Sequence, residues 1–107
     1  MQNKYQFKFT RLALLDIDEV MSYISFNLAN PHAAKSLYNE IEKAITQICE
    51  FPYAYADCSH YMIENENIRH IKIGNYILIY EISKSSSTLH ILRFCYSMMD
   101  ITRLEMK

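Results

Sequence analysis

The 107 residues are half hydrophobic and 21% charged, with a formal charge of -1, a composition that argues against wholesale disorder and predicts one folded domain over residues 1–107. The charge leaves no basic excess, which argues against a protein whose main affinity is for nucleic-acid phosphates, local patches aside.

Tyr5-Gln6-Phe7-Lys8-Phe9 alternates aromatic and polar residues, the period of a half-buried strand. Thr10 offers an N-cap. From Leu14 through Ile17, Val20 or Met21, Ile24 and Leu28 the apolar residues recur at helical spacing, and Asp16, Asp18 and Glu19 stand in the early turns. This predicts a first helix ending near Leu28 or Ala29. Asn30-Pro31 then reads as cap and first residue of a second helix, with Ala34, Leu37, Ile41, Ala44, Ile45 and Ile48 on its apolar row and an end before Pro52. Two helices joined so closely should form an antiparallel pair lying across one face of a sheet.

Tyr53 to Asn67 fits neither period and reads as a loop, with a short extended piece around Tyr61 to Ile63. Ile68–Ile73, Tyr76–Ile82 and Thr88–Tyr96 are β-branched, aromatic or leucine at most positions. Gly74-Asn75, the site of the only glycine, turns the first pair and Lys84-Ser85-Ser86-Ser87 turns the second. Turns this short force antiparallel neighbours. The fold class is therefore α+β: an N-terminal strand, an antiparallel helix pair, then a three-stranded antiparallel meander, all strands in one sheet with the helices on one face. Met98, Ile101 and Leu104 give the tail a helical spacing.

Cys49, Cys58 and Cys95 lack C-x-x-C spacing, so neither a disulfide framework nor a four-thiolate zinc site is expected. His32, His60, His70 and His90 have no helix-spaced pairing, and no metal or other cofactor is expected. No run approaches the ~18 apolar residues that span a bilayer, and no signal-peptide core follows Met1, which points to a cytoplasmic protein without a membrane partner.

The order and spacing of Asp16-Ile17-Asp18-Glu19-Val20-Met21-Ser22-Tyr23-Ile24, Asn30-Pro31-His32-Ala33-Ala34, Phe51-Pro52, the run Ile68 to Tyr80, and His90 to Tyr96 before Asp100 resemble the RelE/ParE superfamily of bacterial type II toxins, on the ParE-like side. The resemblance implies a growth-inhibiting, plasmid-stabilising toxin neutralised by a cognate antitoxin that wraps its helices and sheet. It leaves two targets open: DNA gyrase, poisoned by ParE-like members, and ribosome-bound mRNA, cut by RelE-like ones. It also leaves open a degenerate toxin that only binds its antitoxin, and a homodimer or a toxin–antitoxin hetero-oligomer.

The ribonucleases of the superfamily look for Lys and Arg on the sheet face, an Arg after the third-strand Tyr, and an Arg with a Tyr or His near the C-terminus, where relatives commonly keep a His and an Arg. Here those positions hold Ile77, Tyr96 and Met99, so cleavage is disfavoured. The catalytic candidates that remain are Arg69, Lys72, Arg93 and Tyr96. Each has a plainer reading. Arg93 fits a structural pair with Asp100 or Glu81, and Tyr96 fits a ring packed at the domain edge. Strand alternation separates Arg69 from His70 and Lys72, the latter two on what is more often a solvated face; His90 reads the same way. Ser59, His60 and Asp57 lie too close in one loop to make a triad. The surplus of Leu, Ile, Met and Tyr predicts an apolar groove between helices and sheet for the antitoxin.

Overall fold

The computed structural model describes residues 4–58, 65–98 and 104–106. In it the chain runs β1 (Gln6–Phe9), α1 (Arg11–Ser22), α2 (Pro31–Glu50), β2 (Ile68–Ile73), β3 (Tyr76–Ser83) and β4 (Thr88–Tyr96). The strands form one sheet in the order β1-β4-β3-β2, so the α+β architecture is the expected one.

The meander closes where its turn residues stand. Ile73 pairs with Tyr76, and between them Gly74 takes φ +59°. Nothing lies within 4 Å of the place a Cβ would occupy, so glycine is needed there for its backbone freedom and not for room. Ser83 pairs with Thr88 around the serine turn, where Ser87 takes φ 50°.

β1 lies parallel to β4, from Gln6 opposite Thr88 to Phe9 opposite Ile91. The chain between them passes through both helices and then β2 and β3, which gives the parallel pair the long connection it requires. Beyond Phe9 the edge of β4 would be open, and the start of α1 closes it. The Thr10 amide donates to the Ile91 carbonyl at 3.0 Å, and its hydroxyl donates to the Leu92 carbonyl at 2.9 Å. The same hydroxyl oxygen accepts from the Ala13 amide at 3.1 Å and so caps α1. Ile79 opposes Arg93 while Tyr80 opposes Ile91, which makes Leu92 the extra residue of a bulge.

Two helical details differ from expectation. α1 is α-helical only to Ser22 and then widens into a π-helical stretch, Tyr23–Asn27, closed by the Leu28 amide donating to the Tyr23 carbonyl at 3.1 Å. Its carboxylates lie beyond the first turn, too far on to answer the helix N-terminus; Asp16 has another task. α2 opens as expected, the Ala33 amide donating to Asn30 Oδ1 at 3.1 Å.

The stretch after α2 is more ordered than a plain loop. Pro52–Ala54 forms one 3-10 turn, and Asp57 bridges antiparallel to Arg69 through His70 N–H to Ala56 C=O and Cys58 N–H to Ile68 C=O. The extended piece read at Tyr61 to Ile63 and the tail spacing through Ile101 lie outside the described residues, as do Ser59, His60, Met99 and Asp100.

Each face of the sheet carries an apolar cluster. The larger joins Ile41, Ile45 and Ile48 of α2 to Ile71, Leu78, Tyr80, Leu89 and Phe94. Tyr80 is wholly buried, its hydroxyl donates to the Pro52 carbonyl at 2.7 Å, and burial pushes its pKa well up. The smaller, on the opposite face, holds Cys58, Ile68, Ile77, Ile79, Leu92 and Cys95, with Leu104 and Met106 packed against it. Among the described residues no helix is long and apolar enough to cross a membrane.

Candidate functional site

The four candidate cations and hydroxyls are not brought to one place. Arg69 is held by carbonyls: its Nε donates to Glu66 at 3.1 Å, and its Nη1 to Tyr53 at 3.1 Å and Tyr55 at 2.8 Å. Its guanidinium also lies 5.1 Å from the Tyr53 ring centroid. Three carbonyls and a ring face leave it pinning residues 53–55 to β2. Lys72 is exposed on the edge strand and lines a shallow cavity with Glu40, Lys43 and Gln47 of α2.

Arg93 and Tyr96 do share a cavity, of about 350 Å³, between α1 and the far end of β3 and β4. Arg93 takes a carboxylate there, that of Asp16, which is not among the partners expected; Asp100, one of those, lies outside the described residues. Arg93 Nε donates to Asp16 Oδ2 at 2.7 Å and its Nη2 to Asp16 Oδ1 at 2.9 Å, a bidentate fork. Asp16 Oδ2 accepts a further bond, from the Phe94 amide at 3.0 Å, and Arg93 Nη1 donates to the Glu105 carbonyl at 2.9 Å. The hydrogen bond to Asp16 raises the already high pKa of Arg93. One carboxylate thus closes the β4 edge and neutralises the arginine beside it. The two residues lie far apart in the chain, so nothing local in the sequence points to the pair; the early Asp reads as a helix-terminus charge instead.

The sheet face opposite the helices has an apolar centre. Here Ile77, Ile79, Leu92 and Cys95 occupy its centre, none more than 5% exposed. Burial pushes the Cys58 and Cys95 thiols up to about 11, which holds them protonated near neutral pH and disfavours attack by either. Cys58 Sγ lies 3.7 Å from His70 Nδ1, which makes His70 a half-buried neighbour of the cluster and not the solvated residue expected. His90 is half-buried too, lining a cavity with Thr10, Glu81 and Leu92. Among the described residues no group of three or more His, Cys, Asp and Glu is placed to hold a metal.

The expected apolar groove lies between β1 and α2. Phe7, Phe9, Tyr38, Ile41 and Ile45 line a cavity of about 310 Å³, with Phe7 47% and Tyr38 50% exposed. Phe7 and Phe9 meet edge to face, with ring centroids 5.7 Å apart.

A strand, a helix pair and a meander whose last strand takes the first in parallel define a RelE/ParE-type toxin fold. Among solved structures the chain is similar to the chromosomal ParDE toxin–antitoxin system from P. aeruginosa, with a TM-score of 0.68 and 16% identity over 87% of this chain and 96% of that one. It is also similar to the RelBE2 toxin–antitoxin complex from Mycobacterium tuberculosis, with a TM-score of 0.59 and 20% identity over 88% and 99% of the two chains. The family model for the ParE toxin of type II toxin–antitoxin systems matches residues 7–101, and the chain belongs to that family. A search of curated protein sequences finds no match.

Proposed function

We propose that this toxin stops growth by binding a cellular target, DNA gyrase being favoured, and that a cognate antitoxin neutralises it by filling the groove between β1 and α2. The observation that carries the target reading is the apolar sheet face. Cleavage of a phosphodiester without a metal needs groups that stabilise the charge developing on phosphorus, and loss of one such donor costs about 2.7–4 kcal/mol. Ile77 and Met99 stand where two are required, so the deficit is roughly four orders of magnitude in rate or more. Arg69 and Arg93 are already committed to carbonyls and to Asp16. The antitoxin reading draws support from the two structural relatives, both of them toxin–antitoxin complexes, and from the exposed aromatic groove, the kind of surface an amphipathic partner segment covers.

The test is induction of the chain with and without the neighbouring reading frame, scoring growth, plasmid supercoiling and mRNA ends together. Growth arrest with altered supercoiling and no new mRNA ends is the expected result. Clean cuts in ribosome-bound mRNA that vanish in Tyr96→Phe would move the protein to the ribonuclease branch.

A further inference from the structure

The cavity beside the Asp16–Arg93 pair has an aromatic wall and a charge left over. Tyr76 stacks on Phe94, with centroids 5.0 Å apart and planes 19° apart, and Tyr96 meets Tyr76 edge-on at 6.0 Å. Tyr23 joins the lining from the π-helical end of α1, and Tyr23 and Tyr96 remain 53% and 47% exposed. Among the lining side chains Arg93 and Asp16 cancel each other through their two-bond fork. Glu19, exposed on the same rim, has no side-chain hydrogen bond or ion pair among the described residues. The net charge of the lining is therefore negative among the described residues.

We propose that this cavity receives the cationic side chain, arginine or lysine, of a bound polypeptide partner. Ring faces carry the negative side of the aromatic quadrupole and attract a cation laid over them, and a guanidinium can stack on tyrosine while its fork reaches a carboxylate. A nucleotide would bring its phosphate against Glu19. A neutral apolar side chain would turn the carboxylate from water with nothing to pair it. The inference concerns what the cavity binds and stands whichever cellular target the toxin has.

The test uses the full chain with labelled tyrosines, titrated by NMR with acetyl-alanyl-arginyl-alanine amide and with the same peptide carrying neutral citrulline. The arginine peptide is expected to shift the rings of Tyr23, Tyr76 and Tyr96 and to bind about tenfold tighter than the citrulline peptide. Glu19→Gln, an exposed change that leaves the fold intact, should cut that preference about threefold. Tyr96→Leu should weaken binding, while Tyr38→Leu, in the groove elsewhere, should not. Equal affinity for the two peptides, shifts confined to other tyrosines, or tighter binding of adenosine monophosphate than of the arginine peptide would each overturn the proposal.

Discussion

The two faces of the sheet bury their side chains equally well and by different means. Leu89 under the helices and Ile79 on the opposite face are both 0% exposed. Leu89 lies in the cluster to which α1 and α2 contribute, and both helices start from capped ends. Among the described residues Ile79 sits in a cluster of six buried side chains with Leu104 and Met106 against it, near a segment tied by the Arg93 bond to the Glu105 carbonyl. Burial measures how much water is removed; what the cover is made of decides how hard it is to lift.

Leu89→Ala should therefore show the largest loss, about 3–4 kcal/mol in urea unfolding, because the helices cannot settle into the void. Asp16→Ala should cost about 2–3 kcal/mol, since it leaves both Arg93 and the Phe94 amide without their acceptor. Ile79→Ala should cost about 2 kcal/mol, a short covering segment being able to collapse toward the cavity. Equal losses at Leu89 and Ile79 would erase the distinction between the faces.

A smaller effect sharpens it by pH. Thiols that ionise near 9 in the unfolded chain ionise only at about 11 in Cys58 and Cys95, so between those values the folded state holds protons the unfolded state has released. Stability is complete below pH 9 and falls as pH rises toward 11, by about 1–2 kcal/mol for each thiol. Cys58→Ala should flatten part of that slope in unfolding midpoints measured from pH 8 to 10.5. Smallest of all, Met106→Ser should cost about 1 kcal/mol and raise amide exchange in residues 104–106 while leaving that of α2 unchanged.

Features written in a few adjacent residues were legible in the sequence. Gly74-Asn75, Asn30-Pro31 and the Thr10 cap each act within four residues, through backbone freedom or one side-chain bond, and the structure places all three as read. What escaped was long-range. The period of Tyr5–Phe9 announces a strand but cannot name β4 as its partner. Asp16 reads as a helix-start charge until the fold brings it to Arg93. Helical spacing continues through Ile24 to Leu28 in the sequence, yet no residue of Tyr23–Asn27 is buried and Leu28 is 55% exposed, because the wider π-helical turn rotates the apolar row away from the core. Arg93 and Tyr96, read from the sequence as candidates, line one cavity, and the helical pattern gave no sign that Glu19 and Tyr23 line it with them.

The parallel pairing of β1 with β4 has a consequence for how the protein is made. Synthesis runs from the N-terminus, so Phe7 and Phe9 leave the ribosome long before the strand they pair with exists. Thr10 must likewise wait for the carbonyls of Ile91 and Leu92, and Asp16 for Arg93. The sheet edge, the arginine fork and the cavity beside it are all completed by the last strand to emerge. A nascent chain that stalls in the serine turn has made most of its residues but has none of these surfaces.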